Sequence, residues 1–69
     1  MIEFVMRTAE GEHLRCTTRD EAIATAERLH IRHIVIMVCG RPTRLLKKMP
    51  HHWSNSKVIS EYKCYKIYL

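Results

Sequence analysis

Sixty-nine residues at 46% hydrophobic and 28% charged composition make one small domain and exclude two, since a chain this size buries only about 60% of the surface its unfolded form exposes. So thin a core leaves little protein to wall a reaction off from water, which excludes most enzymes. With 2 Gly and 2 Pro the chain is not low-complexity, and 12 basic against 7 acidic residues, a net charge of +5, suit either a solvated rim that keeps a small protein soluble or an anionic partner.

Residues Ile2 to Thr8 alternate, with Ile2, Phe4 and Met6 on one side and Glu3 and Arg7 on the other, the period of a half-buried strand that only Val5 interrupts. Gly11 supplies the positive φ of a tight reversal in Ala9-Glu10-Gly11-Glu12, and His13 to Thr17 alternates again with Leu14 and Cys16 inward, completing a β-hairpin. Thr18-Arg19-Asp20-Glu21 fits a capping box, in which the Thr18 hydroxyl accepts the Glu21 amide. Asp20 and Glu21 at the start and Arg28, His30 and Arg32 at the far end suit the helix dipole. A helix over about Arg19 to His30 follows. Its apolar stripe is Ala22, Ile23, Ala26 and Leu29, and the alanines let it lie close to a sheet.

His33 to Cys39 is apolar, β-branched and without alternation, as in a central strand covered on both faces, one of them by the helix. Gly40-Arg41-Pro42 ends it, because Pro42 cannot donate to a ladder. Thr43 to Met49 fits either a short fourth strand or a helical turn before Pro50, and His51 to Ser56 reads as a loop carrying Trp53. Lys57 to Leu69 is rich in Tyr, Ile and Val. Its residue types favour a strand, although Val58, Tyr62, Tyr65 and Leu69 would stack on a helix. The expected fold is therefore α+β: one domain over 1–69, an antiparallel sheet of about four to five strands in the order β-β-α-β-β, with one helix packed on a face.

The charge is divided along the chain. Met1 to Glu27 carries −3 and Arg28 to Leu69 carries +8. The candidate binding residues are Arg41, Arg44, Lys47, Lys48 and Lys57, with Trp53 beside them as a side chain that either stacks on a base or caps the core. Such a surface suits an acidic protein or protein–nucleic-acid complex, or phosphates directly. No nucleic-acid module signature, glycine-rich phosphate cradle or paired-carboxylate pattern accompanies it. His30 and His33 read as groups that satisfy the helix end and the next strand, and without CxxC, HxxxH or HExxH spacing no metal is expected. Cys39, before Gly40, is the best-placed nucleophile, yet nothing near it in sequence supplies a base or an oxyanion site. No enzyme activity and no cofactor are expected.

Cys16, Cys39 and Cys64 are an odd number in no disulfide framework, which favours a reducing cytoplasm and a role as small buried hydrophobes. The longest apolar run, Ile34 to Cys39, falls far short of the roughly 20 residues of a membrane helix, and Met1-Ile2-Glu3-Phe4 does not open a secretory signal.

The order hairpin, capped helix, strand, with Thr18-Arg19-Asp20-Glu21-Ala22 opening the helix, resembles small phage-encoded proteins that inhibit host nucleic-acid machines, such as inhibitors of bacterial RNA polymerase and some anti-CRISPR proteins. The resemblance covers roughly the first two thirds of the chain and lies at the level of architecture. It implies a stand-alone inhibitor or regulator and assigns no binding residue. The function expected is thus a non-enzymatic protein that docks through basic residues on a larger macromolecular complex. Direct nucleic-acid binding by the segment after Gly40 is the alternative, and a homodimer through the Tyr-rich C-terminal segment is a third reading.

Overall fold

A computed structural model describes residues 1–55; the strand-or-helix reading of 57–69, the candidate residue Lys57 and the C-terminal dimer segment lie outside the described residues. The chain begins with a hairpin. Strand β1 (Ile2–Arg7) pairs antiparallel with β2 (His13–Cys16), Phe4 opposite Cys16 and Arg7 opposite His13. Gly11 takes φ +91°, the value its turn requires, and Thr8 closes that turn with three bonds: its N–H donates to Glu12 O at 2.8 Å, its carbonyl accepts from Gly11 N at 3.0 Å and its Oγ1 accepts from Glu12 N at 3.1 Å.

The helix α1 (Arg19–Arg28) starts where the capping pattern places it, with Thr18 Oγ1 accepting the Glu21 N–H at 3.3 Å. It carries the chain over β1, so that β3 (His33–Val38) pairs with β1 rather than with β2. Strand β4 (Arg41–Lys48) follows through a two-residue turn, Cys39 and Gly40, both at positive φ as the tightest hairpin turns demand. A short β5 (Trp53–Asn55) completes an antiparallel five-stranded sheet in the order β2-β1-β3-β4-β5. The α+β class is as expected from the sequence.

Two local readings change. Of the Thr43 to Met49 segment, Thr43 to Lys48 is strand, and that strand begins at Arg41 and so includes Pro42. Proline is tolerated because the register shifts there: Ile36 faces Arg44 while Met37 faces Pro42, leaving Thr43 as the extra residue of a bulge. The Thr43 hydroxyl donates to Ile36 O at 3.0 Å. Trp53 lies on a strand, not in a loop, because β4 extends far enough to pair Lys48 with it.

The core lies between the helix and one face of the sheet. Phe4, Met6, Cys16, Ile34, Leu46 and Trp53 meet Ala22 and Ala26 there. Both alanines are fully buried, and their small side chains let the helix lie close to the layer of sheet side chains. On the opposite face Val5, Val35 and Leu45 are cross-strand neighbours and also buried. Ile34 and Val35 point to opposite faces and each is fully buried, which explains why this strand shows no alternation. Burying each such side chain is worth about 1.5–3 kcal/mol.

Candidate functional site

Topology gathers cationic and imidazole groups from separate parts of the chain at one end of the sheet. That end comprises the finish of β1, the start of β3, the finish of β4 and the C-terminus of α1. Arg7 and His13 face each other across β1 and β2, and His33 and Lys47 across β3 and β4. The Arg32 carbonyl accepts the Lys48 N–H at 2.8 Å, and the Met49 N–H donates to His52 O at 2.8 Å. His51 and His52 thus lie in the β4–β5 turn, and all five histidines of the chain occupy this end.

The centre of this end is the helix C-terminus. Ile31 N–H donates to Ala26 O at 2.8 Å and His30 N–H to Glu27 O at 3.3 Å, the paired bonds of a Schellman cap. Residue 30 in such a cap adopts the left-handed conformation, and here a histidine, not a glycine, does so, with φ 59°. The cap turns Ile31 onto the core and leaves Leu29, expected in the inner stripe, 41% exposed at the C-cap. The helix ends at Arg28, two residues before the expected His30, which removes Leu29 from the inner face.

A groove lies on either side of His30–Arg32. One, of about 460 Å³, runs between the last helical turn and the end of β4, with Ala26, Ile31, Met49 and Pro50 as its apolar surface and Glu27 and Lys48 on its rim. Lys48 Nζ donates to Glu27 Oε2 at 2.8 Å and stands 5.5 Å from the centroid of the Trp53 ring. That bond and the lysine charge hold the Glu27 carboxyl below its ordinary value, with a smaller contribution from the nearby Trp53 indole; the buried indole Nε1 nevertheless does not reach hydrogen-bonding geometry with any group among the described residues. The second groove, of about 430 Å³, is lined by Arg7, Thr8, Ala9, Leu29, His30, Ile31, Arg32 and His33, and no carboxylate lines it. Desolvation, followed by the charges of Lys47 and Arg32, holds the His33 imidazole below its ordinary value.

The candidate residues read from the sequence are spread along one strand and over both sheet faces. Arg41 stands at the hairpin end of β4 and Arg44 on the helix side opposite Ile36. Lys47 lies beside the buried Val35–Leu45 row, opposite His33, and Lys48 is engaged by Glu27. Arg41, Arg44 and Lys47 are exposed. Trp53, only 9% exposed, takes the second of the two roles weighed for it and closes the core. Arg7, Leu29 and Arg32 are not among the binding candidates that the sequence offers. Arg7 sits in the acidic half of the sequence, and only the crossing of α1 over β1 brings it beside Arg32.

Cys39, the best-placed nucleophile, is exposed in the β3–β4 turn, where the Met1 ammonium lies 3.5 Å from its Sγ. Among the described residues no three His, Cys, Asp or Glu side chains come together as a metal site, and no described helix is long and apolar enough to cross a membrane. Comparison with known protein families, curated proteins and solved structures finds no match.

Proposed function

We propose that this chain is a non-enzymatic binding protein, an inhibitor or regulator that docks on an acidic surface of a larger macromolecular complex. The observation that carries the reading is the convergence of Arg7, Arg32, Lys47 and Lys48, with five histidines, at one end of a rigid sheet. Interfaces draw their binding energy disproportionately from arginine and aromatic side chains held in place by a scaffold. Here the scaffold is the ladder bond from Lys48 to Arg32 and the cap at His30. Two ion pairs form among the described residues, Glu3–Arg15 and Glu27–Lys48, and neither involves Arg7, Arg32 or Lys47. Cysteines without a pairing framework support a cytoplasmic setting.

The test is affinity capture from a lysate of the source organism, with and without nuclease, using the wild type and an Arg32→Glu/Lys47→Glu variant. A protein retained after nuclease by the wild type and lost by the variant is the expected result. Retention that disappears with nuclease, together with steeply salt-dependent binding of generic DNA or RNA by the purified chain, replaces this reading with direct nucleic-acid binding.

A further inference from the structure

Leu29 and the cations around it allow the partner to be described more closely, on the reading just proposed. We infer that the groove between the end of β1 and the α1–β3 connection is a docking site for an acidic peptide segment of a protein partner, one that carries a single apolar anchor residue. Three observations support this.

The first is an apolar side chain in a place the fold does not require. Leu29 is one of only three large hydrophobics exposed among the described residues, and the other two, Met1 and Ile2, are at the chain start. It stands at the helix C-cap with 41% of its surface open to solvent, and Ile31 continues the apolar floor beside it.

The second is the charge of the groove wall. Arg7 and Arg32 flank the floor, His30 and His33 complete the wall, and neither Glu10 nor Glu12 of the adjoining turn lines it. An apolar centre flanked by two arginines has the anatomy of a binding hot spot, in which the rim excludes water from the anchor and selects its charge. The complementary ligand places one leucine, phenylalanine or tryptophan on Leu29 and Ile31, with carboxylates before and after it to meet Arg7 and Arg32. Phosphates would satisfy the arginines equally well but would leave Leu29 without a counterpart.

The third is the rigidity of the wall. His30 is held in the left-handed conformation by two hydrogen bonds, and Arg32 is tied through its carbonyl to Lys48. Arg7 lies against the β1–β2 turn, its guanidinium 3.8 Å from where a side chain at Gly11 would begin. The backbone that presents Arg32 is thereby fixed, so less ordering of the main chain is needed when a ligand binds.

The experiment uses the full chain and two fluorescein-labelled peptides, both acidic throughout, one with a central tryptophan and one with serine there. Binding is read by polarisation and located by amide chemical shifts. The tryptophan peptide is expected to shift residues Arg7–Ala9 and Leu29–His33. Leu29→Ser and Arg32→Glu should each weaken it by at least about tenfold, whereas Arg41→Glu at the opposite end of the sheet leaves it unchanged. Leu29→Ser should make no difference to the serine peptide. Leu29 is exposed, so its variant keeps the fold, and the amide spectrum verifies this directly.

Equal affinity for the two peptides, or indifference to Leu29→Ser, overturns the inference. If Arg41→Glu and Arg44→Glu abolish binding instead, the inference fails and docking through a basic surface stands. If single-stranded RNA binds more tightly than either peptide, responds to Arg32→Glu and ignores Leu29→Ser, both readings give way to nucleic-acid binding. If neither peptide nor RNA shifts any amide at low salt, both are overturned outright.

Discussion

Lys48, the last residue of β4, reaches the helix and donates to the Glu27 carboxylate at 2.8 Å, while its ammonium stands 5.5 Å from the centre of the Trp53 ring. One side chain thereby joins the end of the sheet, the last turn of the helix and the aromatic cap of the core. The Glu27 carboxyl is held below its ordinary value first by this hydrogen bond and then by the lysine charge. A carboxyl depressed in the folded state contributes stability that is full above the unfolded value, here 4.5, and is lost as pH falls through the folded value. Glu27→Gln should therefore be slightly less stable than wild type at neutral pH and equal to it in acid. Both partners are partly exposed, so the difference is small. Urea midpoints at neutral and acidic pH measure it, and a gap that persists in acid would show that the carboxylate charge is not its source.

The cap at His30 gives a prediction of opposite sign. A non-glycine residue in the left-handed region costs roughly 1–2 kcal/mol, and the His30 N–H bond to Glu27 O is compatible with glycine. His30→Gly should gain up to about 1 kcal/mol, after subtracting the greater freedom of glycine in the unfolded chain. His30→Val should lose stability, since a β-branched side chain fits this region worst. The same His30→Gly variant removes a side chain that lines both grooves. A more stable protein that docks less well would place the histidine there for binding and not for folding.

Ala26 sets the distance between helix and sheet. It is fully buried against the core that contains Met6, Ile34 and Leu46, and its carbonyl accepts the Ile31 N–H of the cap. Ala26→Leu should cost about 1–3 kcal/mol through overpacking. Ile34→Ala, which leaves a cavity in the same layer, should cost about 2–5 kcal/mol, enough to unfold much of so small a domain. Equilibrium unfolding of both variants tests the packing, and a neutral Ala26→Leu would mean that the helix stands off the sheet.

Where the chain repeats a strong local signal, its fold is legible from residue types. Alternation marks β1 and β2, the Thr18 hydroxyl fixes the start of α1, and β-branched residues with no alternation mark β3 as a strand buried on both sides. The signal weakens where an element exists only through its neighbours. β5 has three residues and no pattern of its own; it is a strand because Lys47 and Lys48 are there to pair with Ser54 and Trp53. Pro42 suggests an end to pairing, and the bulge at Thr43 that accommodates it depends on the hydroxyl reaching Ile36 O.

The candidate site was less legible for a related reason. Summing charge along the chain assigns Arg7 to the acidic half and groups Arg41 with Lys47. In the sheet, Arg7 and Lys47 share one end and Arg41 lies at the other, because antiparallel neighbours meet start to finish. Leu29 fits the helical stripe by spacing, and only the early end of the helix turns it outward.

The histidine facing Lys47 yields the last prediction. His33 is held below the ordinary value of 6.5, first by desolvation and then by the charges of Lys47 and Arg32, so the unfolded chain binds its proton more readily than the folded one. Stability should therefore be independent of His33 above 6.5 and decline as pH falls from there to the folded value. Below that value both states are protonated and the loss is complete. His33→Gln should remove this decline. Urea midpoints of wild type and variant, measured at intervals across this range, should run parallel above it and converge or cross within it. Parallel curves throughout would mean that neither burial nor the charges of Lys47 and Arg32 hold the imidazole below its ordinary value. Lys47→Met should raise the folded value and shrink the decline, which separates the lysine charge from simple burial.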